Sequence, residues 1–229
     1  LRCGGSQIVG ARRYQEDAFG YGEGPNLYGA VADGMGGMLM GAEASRIAVE
    51  AAMGALRGGG TPLQAVMRAQ EDVQSWARGL GILGLTGTTL SVAAVDLSCG
   101  LLDWASVGDS RIYLFRRGGS MELLSRDHTV AEAVRASGGD PASLGAEGDL
   151  ITSFIGIEEL AEISIPEEPV RLEKGDVVLL VSDGVHRVLS PAEMAALMDR
   201  EDPASALMWA VSSKGIKRQD NATAVVLAI

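Results

Sequence analysis

At 229 residues with 47% hydrophobic positions, the chain is long enough to bury a substantial core, and one domain is the natural expectation. A formal charge of -11 and a pI near 4.6 argue against nucleic acid or an anionic membrane as partner, because both are bound by clustered Lys and Arg. Two cysteines, Cys3 and Cys99, make neither a disulfide framework nor a zinc site, so a reducing compartment is expected.

The N-terminus, Leu1-Arg2-Cys3-Gly4-Gly5, lacks the apolar core of a signal peptide, and no apolar run approaches the ~18 residues of a membrane span. A soluble, cytoplasmic chain is the expectation. It does not begin with Met, so trimming or a longer parent is also expected. In Gly10 to Phe19, Arg12 and Asp17 are five apart, which on a regular strand would put them on opposite faces. If both serve one site, that stretch must be looped or bulged. Leu27 to Ala32 reads as a buried strand running into Asp33-Gly34-Met35-Gly36-Gly37. A carboxylate at the end of an apolar strand needs a cation, a donor or a raised pKa. A lone Asp-Gly is more often a solvated turn, but the pattern recurs further along.

Ala44, Ile47, Ala48, Ala51, Ala52, Ala55 and Leu56 have helical spacing, ended by Gly58-Gly59-Gly60. Thr61-Pro62 then reads as an N-cap with Pro at the first position of a second helix, with Leu63, Val66, Met67, Val73, Trp76 and Leu80 facing inward. Strands are expected at 88–96, 101–107, 111–116 and 121–125, the first two joined by the hairpin link Asp96 to Gly100 and therefore antiparallel. Asp109 follows the second of these in Val107-Gly108-Asp109-Ser110-Arg111. Asp127-His128-Thr129 precedes a short helix, with His128 read as a turn residue, and 137–149 reads as a surface excursion within a flap of about 127–156. Val177 to Val181 is a buried strand entering Ser182-Asp183-Gly184, and Ser190-Pro191-Ala192-Glu193 is a capping box. A further helix is expected from Asp202-Pro203 to near Gly215, and Asp220-Asn221 opens the last strand, 223–229.

Asp33, Asp109 and Asp183 end strands while Asp220 begins one, so an antiparallel sheet can bring all four to one edge. With Glu16 and Asp17 that edge would carry six carboxylates, which repel one another unless cations neutralise them. Oxygen ligands with only two histidines in the chain select Mg²⁺ or Mn²⁺ over Zn²⁺. Two such ions ~3.5–4 Å apart would activate a water against phosphorus, and Arg12 could grip phosphate oxygens. Metal-assisted hydrolysis of a phosphate ester is the chemistry expected.

Arg12-x-x-x-Glu16-Asp17, Ala32 to Gly37, Gly87-Thr88-Thr89, Val107 to Arg111, Ser182-Asp183-Gly184 and Asp220-Asn221 together resemble the ordered motif set of the metal-dependent Ser/Thr protein phosphatases, the type 2C or PPM family, in its compact bacterial form. The resemblance runs from about residue 8 to the C-terminus. It implies an α+β fold, a central β-sandwich of two antiparallel sheets flanked by helices on both sides. It implies a phosphatase acting on phospho-Ser and phospho-Thr in proteins by attack of a water bridging two Mn²⁺ or Mg²⁺ ions, without a phosphoenzyme. By resemblance, Asp33 bridges the ions, the Gly34 carbonyl binds one, Asp183 and Asp220 complete one shell, and Glu16 or Asp17 serves the other. Asp109 with Asp183 matches a position that can hold a third, weaker ion, and Arg12 matches the phosphate-binding arginine.

Two positions depart from the family pattern. Met35 and Met38 stand where family members often have a histidine, which leaves metal-bound water or His186 as the source of the leaving-group proton. Ser153 stands where an Arg is common near the flap. The implied partners are phosphoproteins made by a Ser/Thr kinase, and the implied state is a monomer. The alternatives are a pseudophosphatase that binds phosphoproteins as a regulatory module, and a partner-switching relative with one dedicated substrate. Arg12 and every metal Asp are retained, which disfavours the first; the full motif set disfavours the second.

Overall fold

The computed structural model describes residues 2–35 and 37–229; Leu1 and Gly36, the latter in the glycine loop after Asp33, lie outside the described residues. The elements run β1 (Cys3–Ile8), β2 (Asp17–Glu23), β3 (Asn26–Asp33), α1 (Gly41–Arg57), α2 (Pro62–Leu80), β4 (Leu90–Asp96), β5 (Leu101–Val107), β6 (Arg111–Arg116), β7 (Ser120–Leu123), α3 (Val130–Ala136), a 3₁₀ segment (Pro141–Asp149), β8 (Val170–Arg171), β9 (Val177–Val181), α4 (Asp183–His186), α5 (Pro191–Ala195), α6 (Pro203–Ser213) and β10 (Ala222–Ala228). They form two five-stranded sheets, ordered β1-β10-β9-β6-β7 and β2-β3-β4-β5-β8. All pairings within them are antiparallel.

The continuous apolar run Val177 to Val181 is explained by what lies on each side of it. Side chains alternate across a strand, and β9 is covered on both faces. Val178 and Leu180 join Leu27, Val31, Trp104, Ile112 and Leu114 between the sheets. Val177, Leu179 and Val181 pack outward with Met194, Leu207 and Val211 of α5 and α6. On the other side, Ala30, Ala32, Val92 and Ala105 meet Ala44, Ala48, Ala52, Val66 and Val73 of α1 and α2. The result is the α/β/β/α sandwich that the motif resemblance implied.

Local signals were obeyed at most element ends. Thr61 caps α2 through a capping box with Gln64, Pro62 occupies the first turn, and Ser190 with Glu193 does the same for α5. One expectation is corrected. Leu63, Met67 and Leu80 are exposed, and the buried face of α2 is Ala65, Val66, Ala69, Val73 and Ala77. One residue is about 100° around a helix, so two apolar stripes overlapped in the sequence. The stripe rich in alanine is the one that lets α2 pack closely on α1 and the sheet. Among the described residues, no helix is long and apolar enough to cross a membrane.

Candidate active site

The acids meet where strands end. β2 and β3 pair Asp17 with Asp33, and β9 and β10 pair Val181 with Ala224, which puts Asp183 and Asp220 beside each other at the same end of the other sheet. A cavity of about 260 Å³ there is lined by Arg12, Glu16, Asp33, Gly34, Met35, Thr89, Asp109, Asp149, Leu150, Asp183, Arg187, Asp220 and Asn221, among others. Arg12, Glu16, Asp33, Gly34, Asp109, Asp183 and Asp220, all expected from the sequence, are thus brought together. Asp17 lies just behind them, buried.

Each acid is held by a motif neighbour. The Asp33 amide donates to Thr89 Oγ1 at 2.9 Å, and its carbonyl accepts from the Thr89 amide and from Thr88 Oγ1, both at 2.9 Å. The Gly-Thr-Thr motif is therefore a clamp on the backbone of Asp33. Asp17 Oδ2 accepts from Ser182 Oγ at 2.8 Å and Thr223 Oγ1 at 2.6 Å, which tie it to β9 and β10. Asn221 orders the loop before β2: its Oδ1 accepts from the Glu16 amide, and its Nδ2 donates to the carbonyls of Val9 and Tyr14. The Ala11 amide donates to the Gln219 carbonyl at 2.7 Å, so residues 9–16 form the loop that a joint role for Arg12 and Asp17 required. Arg12 Nη2 sits 2.5 Å from Asp220 Oδ2 at the cavity mouth.

Asp109 follows a turn that needs glycine. Gly108 has φ +98, and a Cβ there would stand 2.6 Å from Thr89 Cγ2. Its amide donates to Nδ1 of His128 at 3.1 Å. His128, a turn residue in the sequence reading, is a fully buried brace for that turn. Arg111 holds Asp127 through both carboxylate oxygens, at 3.0 and 2.7 Å, fixing where the 127–156 segment departs.

The electrostatics are those of crowded, dry carboxylates. Burial, then repulsion from Asp17, Asp183 and Asp109, pushes Asp33 well above the usual range. Burial raises Asp17 to about 6 against the pull of Thr223 and Ser182, and raises Asp109 to about 6 with Asp183 adding to it. Asp183 is raised by burial as well, although Arg187 opposes the shift. Among the described residues, Oδ1 of Asp17 and Oδ1 of Asp183 are buried with no hydrogen-bond partner. Orphaned oxygens on acids that repel one another fit a hard divalent cation. Among the described residues, no three His, Cys, Asp or Glu side chains are gathered as a ready metal cage; Arg12 pairs with Asp220, and Arg187 with Asp109 and Asp183.

His186 borders not this cavity but its neighbour, lined also by Arg111, Asp127 and Thr129 and sharing Asp109, Asp149 and Arg187 with the first. Its Nε2 is 3.0 Å from the Asp109 carbonyl, which can only accept, so that nitrogen carries the proton. Burial, with Arg111 adding to it, lowers its pKa to about 4. Ser153 is buried and exchanges hydrogen bonds with the backbone of Glu162. Arg187, four residues beyond Asp183, was not among the residues expected at the site, although its helical spacing from Asp183 was an available signal.

The profile described as protein phosphatase 2C matches residues 5–209. Protein phosphatase PhpP of Streptococcus pneumoniae is 32% identical over 120 residues, 51% of this chain and 47% of that protein, so the chain spans about half the length of the curated relatives it first matches. Among solved structures, a Stage II Sporulation E family protein from Thermanaerovibrio acidaminovorans is 45% identical with TM-score 0.74, covering 93% of this chain and all of that one. The catalytic domain of the Ser/Thr phosphatase PstP, solved with two manganese ions, is 26% identical with TM-score 0.76, covering 98% of this chain and 96% of that one. The sandwich, the acids at its edge and these likenesses have one conclusion: the chain belongs to the protein phosphatase 2C family.

Proposed function

We propose that this chain is a metal-dependent phosphatase acting on phospho-Ser and phospho-Thr in proteins. The observation that carries the reading is one cavity shared by Glu16, Asp33, Asp183, Asp220 and Arg12, beside buried carboxylate oxygens with no partner. Asp33, the Gly34 carbonyl, Asp183, Asp220 and the Glu16-Asp17 pair would hold two Mn²⁺ or Mg²⁺ ions, the number bound in the PstP relative. When bound, such a pair supplies an activated water and neutralises charge on the phosphoryl group.

The chain's own residues do the rest. Arg12 is half-exposed at the cavity mouth, where its planar fork can take two phosphate oxygens once Asp220 no longer needs it. Thr88 and Thr89 fix Asp33 so that its position costs no rearrangement during turnover. Ser182 and Thr223 hold one oxygen of Asp17 and leave the other free. His186 is the proton-donor candidate from the sequence; with its proton engaged by the Asp109 carbonyl and its pKa near 4, it is neutral at pH 7. Replacing His186 with Gln tests that role: a donor's loss would lower kcat for a phosphoserine peptide far more than for an aryl phosphate, whose leaving group needs no proton. The substrates this reading implies are phosphoproteins made by a Ser/Thr kinase, acted on by a monomer.

Release of phosphate from a phospho-Thr peptide tests the proposal. Turnover with Mn²⁺ or Mg²⁺ and none in EDTA is expected. Binding of the phosphopeptide without turnover by folded, metal-loaded protein would favour the regulatory pseudophosphatase instead.

A further inference from the structure

Arg187 lies just past α4, and each of its three nitrogens faces a carboxylate from a different part of the chain. Nε is 3.0 Å from Asp183 Oδ2, Nη2 is 3.2 Å from Asp109 Oδ2, and Nη1 is 3.3 Å from Asp149 Oδ2. Asp109 is almost fully buried at the end of a turn after β5, Asp183 opens α4, and Asp149 closes the 3₁₀ segment on the surface. A guanidinium stays charged at any physiological pH, and its fixed fork suits several carboxylates at once. It also leaves Oδ1 of Asp183, the oxygen without a partner, on the other side of that carboxylate.

We propose that Arg187 is the resident cation between Asp109 and Asp183, so that the chain takes no divalent ion at that position and instead ties its acid cluster to the 141–149 segment through Asp149. This deepens the phosphatase reading and rests on it for the count of ions; the tie to the segment does not. A divalent ion placed between Asp109 and Asp183 would have to displace a positive charge tethered to the same short helix as one of its ligands. The cation supplied by Arg187 cannot be removed by a chelator. Arg187 acts as a positioning residue: it fixes Asp183 through one oxygen and holds the segment that contributes Asp149 and Leu150 to the cavity wall.

The test counts Mn²⁺ bound per folded chain by equilibrium dialysis and elemental analysis. Wild type and Asp109→Asn should both bind two ions. Arg187→Ala should bind three, Arg187→Lys should return to two, and Arg187→Ala with Asp109→Asn should also return to two. Three ions in wild type, falling to two in Asp109→Asn, would overturn the proposal, as would no gain in Arg187→Ala. No ion bound by wild type would instead overturn the phosphatase reading.

The tie to the segment is measured separately, in EDTA, as the rate of cleavage after Glu147 by a Glu-specific protease. Arg187→Ala and Asp149→Asn should each be cut about two to five times faster than wild type, the range expected from loss of an exposed ion pair. Equal rates would overturn that part. Asp149→Asn should leave the ion count at two, which separates the tie from the cation role.

Discussion

Asp17 shows how the site is built at the scale of single residues. It begins β2, is buried behind Glu16, and has one oxygen bound by hydroxyls from Ser182 and Thr223. Those hydroxyls favour the charged form in a place where burial disfavours it. Replacing Ser182 with Ala or Thr223 with Val should keep the fold and weaken Mn²⁺ binding about 10- to 100-fold, measured by calorimetric titration. Unchanged affinity would mean that Asp17 serves no ion. The acids themselves could be read from sequence because a carboxylate at the end of an apolar run, as Asp33 after Leu27 to Ala32, stands out. Arg187 offered one signal, its i,i+4 spacing from Asp183; its pairing with Asp109 and Asp149, and that of His128 with the Gly108 amide, could not be read, because those partners are distant in sequence and are set only by the tertiary fold.

At the scale of elements, the site depends on two strand ends and a four-residue helix meeting without spare room. A Cβ on Gly184 would stand 1.9 Å from the Asn221 carbonyl oxygen, so α4 and the start of β10 touch through backbone. Gly184→Ala should separate Asp183 from Asp220, lowering stability by about 1–3 kcal/mol in chemical denaturation and reducing Mn²⁺ affinity as well. Loss of stability without loss of affinity would show that the two acids do not share an ion. Strands β3 to β7, β9 and β10, the caps of α2 and α5 and the hairpin between β4 and β5 were legible from spacing and turn residues, whereas β1, β2 and β8 were not. The inward face of α2 was not. Leu63 and Met67 carry more apolar surface than Ala65 and Ala69, yet tight helix packing chose the smaller side chains. Within 137–149, read as a surface excursion, residues 141–149 form a 3₁₀ segment that places Asp149, and Leu150 just after it, at the cavity. Composition alone carried no signal for that.

At the scale of the whole molecule, the acid cluster links stability to pH and to cations. In the folded chain without bound ions, Asp17 and Asp109 titrate near 6, above the usual carboxylate value they would have when unfolded. The fold therefore favours their protonated forms. Their contribution is fully present below about pH 4 and is lost as pH rises through about 6. A single group so shifted is worth on the order of 3 kcal/mol. In EDTA, Tm should fall between pH 4 and 7, and Mn²⁺ at pH 7 should restore it; a flat profile would contradict the crowded-acid account.

Whether these carboxylates serve metal-dependent hydrolysis is decided by phosphate release from a phospho-Thr peptide, comparing wild type with Asp33→Ala, each with Mn²⁺ and with EDTA. Turnover is expected only from wild type with Mn²⁺, with the variant folded but inactive. Turnover that persists in EDTA, or in the folded variant, would contradict that role.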